Sequence, residues 1–350
     1  MSTQHYLEQL NLTEMMEELD NLFPAVNLDF SLLFEKIVEG GWQEAGKLIW
    51  QWTFGTLQMQ IGGMKSLMVS ILVLGMLSVL VSGFITGFEN HQIVQIAHYI
   101  FYLLMLSVLI TIFGECYEAA QEVLSGMAEF SKLLLPALCL SVGTAAGSVT
   151  AAGYYELAML LIFLVENFLL KLCLPMMPAF MLLLLMNGVW EEGKLAALME
   201  LLEKFLLFTA KFCVAAVTGL GVLQSMVAPA LDSLKRNALQ KAVSAIPGLG
   251  GIAEGSAQMV IGSAVLIKNS FGVFALLLLA VLVAVPLMKL LLYGGLLRLS
   301  GSLIGIVAQK QLTACVLRTA DAVFLMLRLS GSGAVCFMIL IAIVTCLVGG

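Results

Sequence analysis

Five ionisable side chains lie in or against long apolar runs of this chain: His98, Glu166, Lys171, Lys268 and Lys289. An ionisable residue in such a setting is a functional candidate by default, because burying its charge in hydrocarbon is costly. His98 could carry a proton or touch a substrate, or it could make a single hydrogen bond between helices. Glu166 and Lys171 carry opposite charge but stand five residues apart, which makes them imperfect partners on an α-helix. Lys171 could instead extend its ammonium to an interface while its stem stays in apolar surroundings. Glu115, Glu118 and Glu122 fall at i, i+3 and i+7 and share one helical face. Paired carboxylates could bind a cation, or they could form a solvated face.

Other chemistry finds little support. Gly41, Gly46 and Lys47 match the spacing of a phosphate-binding loop, but Leu48 replaces the Ser or Thr that would hold magnesium, and no buried strand precedes it. Gly248, Gly250 and Ala253 imitate a dinucleotide fingerprint without the strand–turn–helix context that the motif needs. Seven cysteines, Cys116, Cys139, Cys173, Cys213, Cys315, Cys336 and Cys346, form no CxxC pair. Most lie in apolar runs and read as small core hydrophobes. The three histidines, His5, His91 and His98, do not pair with them at ligand spacing. No metal, no cofactor and no catalytic residue is expected. Neither HExxH nor GxSxG occurs, so an intramembrane enzyme lacks a motif to rest on.

The elements that must position these residues are membrane helices. Of 350 residues, 61% are hydrophobic and 11% charged, against about 25% charged in a soluble domain. Mean hydropathy is +1.02. The fold class is all-α, a polytopic integral membrane protein with about six to eight transmembrane helices and re-entrant or broken segments, each span needing about 20 apolar residues. The charge is uneven: residues 1–60 hold nine acids against Lys36 and Lys47, whereas residues 235–350 hold nine bases against Glu254 and Asp321. No basic run is dense enough for nucleic acid. The start of the chain shows no signal-peptide pattern.

Residues 1–62 form an acidic, amphipathic, non-spanning region; Trp42, Trp50 and Trp52 could lay a helix on the membrane surface, or the region could form a small soluble helical hairpin packing on itself. Residues 63–350 form the transmembrane domain. Spans are expected over about 66–88 and 93–113, with Gly83 and Gly87 offering a close-packing face. Residues 115–131 form an acidic link, and 133–153, rich in small residues, a tight span or a re-entrant segment. The run 155–177 spans, after which Pro175 and Pro178 break the helix. Further spans are expected over about 205–227 and 271–292. Residues 294–309 read as a tilted or half-buried helix, 310–328 as an amphipathic segment setting Arg318 and Arg328 against Asp321, and 334–348 as the last apolar segment. Segments 143–178 and 250–286 are loosely alike, which could be an internal repeat of the kind found in transporters.

Residues 228–272 are the longest polar and Gly-rich interruption of the second half. Pro247, Gly248, Gly250, Gly251 and Gly255 are the hinge or re-entrant candidates, since non-helical backbone at membrane depth needs protein or a water-filled cavity around it. This stretch also carries a resemblance. Leu234, Lys235, Arg236, Ile246, Pro247, Gly248, Gly250, Gly251, Glu254, Gly262, Ser263, Leu266, Ile267, Lys268, Asn269 and Gly272, with Pro286 in the next helix, resemble the stage III sporulation protein AE family. The likeness covers about residues 60–350 and is most specific between 232 and 290. It implies a subunit of a multi-protein, secretion-like channel complex spanning the two membranes between mother cell and forespore, required for forespore development after engulfment. The implied partners are the other membrane proteins of the stage III sporulation A operon, a cytosolic ATPase and a forespore-side protein. The implied location is the mother-cell membrane around the forespore. The alternative is a stand-alone secondary transporter of a small solute, supported by His98, Glu166, Lys171 and the proline-interrupted helices.

Overall fold

The computed structural model describes residues 42–85, 91–146, 148–189, 195–244, 250–306 and 310–346. All regular structure among them is helical: α1 (Trp42–Ile85), α2 (His91–Ala146), α3 (Ser148–Val165), a π-helical segment (Glu166–Cys173), α4 (Leu174–Val189), α5 (Ala196–Ser244), α6 (Gly250–Ile304) and α7 (Lys310–Cys346). Six stretches among the described residues are long and apolar enough to cross a membrane. They are Gly62–Val81, Tyr99–Pro136, Tyr155–Met186, Ala196–Val222, Gly272–Ile304 and Lys310–Val344.

The helices are longer than the sequence pattern alone suggests. Segments expected to be separate are continuous. The acidic link after the second span is the middle of α2, and 294–304 completes α6 rather than starting a new helix. The amphipathic segment 310–328 and the last apolar segment are both α7, and the small-residue run 133–153 is divided between the end of α2 and the start of α3. At 1.5 Å per residue, the 56 residues of α2 reach about 84 Å, well beyond a hydrocarbon layer of about 30 Å.

Prolines do not end these helices. Pro136, Pro178 and Pro286 are interior to α2, α4 and α6. The break expected at Pro175 and Pro178 is therefore replaced by an upstream widening. Pro175 has no N–H, and its ring crowds the carbonyl four residues back. The helix loosens before it: the Leu174 N–H donates to the Leu169 carbonyl, five residues back. Chain direction is kept, so Tyr155–Met186 is one continuous membrane-length element.

The centre of the bundle is α7. Half of its apolar stretch is buried, 50% against 22% for α1 at the periphery. It packs on α2, α3, α4, α5 and α6. Met105, Leu109 and Phe130 of α2, Leu169 of the π segment, Phe274 of α6 and Met326 and Phe337 of α7 are wholly buried. Glycines let the backbones approach. A Cβ on Gly333 of α7 would collide with Leu124 Cδ2 of α2, and one on Gly301 of α6 would sit 2.8 Å from Leu317 Cδ2 of α7. Small residues at interfaces are what helix association in lipid requires, since apolar burial drives little of it there. By contrast a Cβ on Gly83 of α1 would meet no described atom within 4 Å. Large apolar side chains such as Phe84, Phe163 and Phe208 point outward, as lipid-facing positions do.

Candidate functional site

The widened turn before Pro175 alters which residues stand above one another. In an α-helix, residues five apart diverge around the axis; in a π-helix, the i and i+5 positions are linked by the backbone itself. The π segment begins at Glu166 and includes Lys171. Lys171 Nζ accordingly lies 3.2 Å from Glu166 Oε1. The pairing that the five-residue spacing disfavours is made by a local change of helical pitch.

A second ammonium completes the cluster. Lys132 of α2 donates to Glu166 Oε2 at 2.6 Å. Lys132 and Glu166 are 34 residues apart in sequence, so α2 and the α3–π element must run antiparallel side by side. Each carboxylate oxygen of Glu166 thus faces its own lysine. The Glu166 side chain is 15% exposed, while Lys132 and Lys171 are 42% and 57% exposed. Asn167 is occupied locally, its amide donating to the Phe163 carbonyl at 2.8 Å. The arrangement ties two helices together and holds two cations around one anion within apolar stretches.

A second polar cluster joins α2 to α6. The Tyr293 hydroxyl donates to Glu115 Oε2. Lys289 lies one turn before Tyr293 and is half-buried. Cys116, next to Glu115, is fully buried. Glu118 and Glu122 are exposed, so the expected carboxylate face is split: Glu115 is taken into the helix contact and its neighbours are not. Among the described residues, no group of three or more His, Cys, Asp or Glu side chains could hold a metal ion.

A third contact lies between α6 and α7. Arg298 Nη2 donates to Asp321 Oδ1 at 2.9 Å, and the guanidinium sits 5.0 Å from the centre of the Phe324 ring. The sequence sets Asp321 against Arg318 and Arg328 instead. The antiparallel packing of α6 and α7 brings Arg298 across. Arg328 is two turns further along α7, and Arg318 turns inward, its Nη1 buried without a hydrogen-bond partner among the described residues. Tyr102 closes the α2–α4 contact by donating to the Leu185 carbonyl at 3.0 Å.

The remaining candidates are placed as follows. His98 is on α2 and Lys268 on α6, with side chains outside the described residues. Pro247 and Gly248 also lie outside them. Gly250, Gly251 and Gly255 are helical, in the opening turns of α6. The phosphate-loop imitation at Gly46 and Lys47 is helical as well, inside α1. Lys132, Tyr293 and Arg298 are the polar residues that sequence reasoning did not single out as partners.

Comparison with known proteins follows the same lines as the fold. The family model described as "Stage III sporulation protein AE" matches residues 28–348. The Stage III sporulation protein AE of Bacillus subtilis (strain 168) is 22% identical over 206 residues, covering 59% of this chain and 52% of that protein. The match thus spans about half the length of that relative. No solved structure matches.

Proposed function

The chain belongs to the stage III sporulation protein AE family, and from that premise we propose that it is a membrane subunit of a secretion-like channel complex joining mother cell and forespore. The observation that carries this reading is the family match over residues 28–348 on a chain with six membrane-length apolar stretches. In this reading it sits in the mother-cell membrane around the forespore. Its partners are the other membrane proteins encoded with it, a cytosolic ATPase that supplies energy, and a forespore-side protein. The chain then acts as gate or scaffold. The helices of 49 to 56 residues seen in α2, α5 and α6 suit that role, because their ends reach beyond the bilayer to where partners assemble.

The test is deletion of the gene in its host, with a complementing copy, followed by microscopy of sporulating cells. The expected result is arrest after engulfment with small, collapsing forespores. Normal, heat-resistant spores would overturn the proposal.

A second reading is a stand-alone secondary transporter, favoured by the lysine–glutamate cluster inside Tyr155–Met186, since ionisable groups at such positions often line a transport path. Solute movement by the purified protein alone in liposomes supports it. Dependence of that movement on partner subunits returns the argument to the channel complex.

A further inference from the structure

The Lys132–Glu166–Lys171 cluster carries more positive charge than it uses. Two ammoniums share one carboxylate, so the cluster has a net charge of +1. Each ammonium has three N–H donors and no acceptor. Glu166 is turned inward, at 15% exposed, and the two lysines open outward at 42% and 57%. Each lysine gives one contact to Glu166 and stands partly exposed on the surface of the bundle. That surface is apolar as well as open. Phe168 and Leu172 of the same π segment and Phe212 of α5 are exposed, and Phe168 meets Phe212 edge-on with ring centres 5.8 Å apart. Cations next to an exposed aromatic and aliphatic surface match a ligand that is anionic at one end and hydrocarbon at the other.

We propose that Lys132 and Lys171 bind the phosphate of an anionic phospholipid, whose acyl chains lie against Phe168, Leu172 and Phe212. Glu166 is a positioning residue: it holds the two ammoniums, one from α2 and one from the π segment, at a spacing that a single phosphate can bridge. Free phosphate would use the ammoniums but gain nothing from the apolar surface, which is why the lipid is the better fit. The π segment matters because it brings Lys171 round to Glu166, which Lys132 also reaches.

The experiment is native mass spectrometry of the full chain, purified in detergent and titrated with phosphatidylglycerol or phosphatidylcholine, with inorganic phosphate as competitor. The wild type should retain phosphatidylglycerol in preference to phosphatidylcholine. The double variant K132A/K171A should weaken phosphatidylglycerol binding by about 25-fold, taking about fivefold for each lysine near an anionic surface. K132R/K171R should restore binding, which separates lost charge from lost fold. E166Q keeps the shape of the side chain but loses the carboxylate that holds both ammoniums, and should weaken phosphatidylglycerol binding by less than K132A/K171A does. Three results would each overturn the proposal: equal binding by wild type and K132A/K171A, a loss in E166Q as large as in K132A/K171A, or full displacement of the lipid by inorganic phosphate, which would assign the cluster to the free anion.

Discussion

Replacing Gly333 with alanine tests how closely α7 approaches α2. A Cβ at this position would overlap Leu124 Cδ2 and lie 3.4 Å from Leu169 Cδ1. Leu124 and Leu169 are 2% and 0% exposed, so neither has solvent to retreat into. Overpacking of this kind costs about 1–3 kcal/mol. Leu124→Ala on its own should cost about 2–5 kcal/mol through the cavity it leaves. The double variant should cost less than the two singles added, because the new methyl occupies part of the space that the leucine vacates. Contacting residues typically show coupling of about 0.5–3 kcal/mol. The five cysteines whose side chains are described, Cys116, Cys173, Cys213, Cys315 and Cys336, are buried. Thermal unfolding in detergent can therefore be followed with a maleimide dye that fluoresces on reaching a newly exposed thiol. The expected order of midpoints is wild type, then Gly333→Ala, with the double variant above the value that additivity assigns it. Strict additivity would refute the reasoning, since the two side chains would then not share one space.

Three further outcomes follow from the polar contacts and from the central interruption. Tyr293→Phe strands the half-buried Glu115 carboxylate and should cost about 1.5–3 kcal/mol, the range for a hydrogen bond to a charged group. Tyr102→Phe loses a neutral bond to the Leu185 carbonyl and should cost about 0.5–1.5 kcal/mol; a reversed order in the same thermal assay contradicts the assignment. Arg298→Lys should lower stability by less than about 1 kcal/mol, because the pair with Asp321 is more than half exposed, and a larger drop would mean that this contact is buried in an assembly. If the opening turns of α6 act as a bending element, Gly250→Leu with Gly251→Leu should abolish sporulation while the protein still accumulates in the membrane, and full sporulation in that variant removes the hinge idea.

Composition alone makes the membrane character legible, because a chain with 11% charged residues cannot cover a soluble surface. The apolar runs are legible for the same reason. Helix ends are not. Polar residues such as Glu115 and Arg298 look like loop signals in a membrane sequence, yet here each has a partner on a neighbouring helix, Tyr293 and Asp321, so the helix continues through them. Prolines mislead similarly, since in a packed bundle the missing bond can be absorbed by a local change of pitch. The Glu166–Lys171 pair shows both sides of this. The residue types and their apolar setting mark them as candidates, but a five-residue spacing judged on a 3.6-residue turn argues against pairing. Pro175, four residues past Lys171, is the signal that the pitch there is not that of an α-helix. Lys132 is different in kind. Its partner is 34 residues away on an antiparallel neighbour, and nothing in local periodicity encodes that contact. It depends on α2 running unbroken as far as Lys132, which the apparent acidic link between Glu115 and Glu122 conceals.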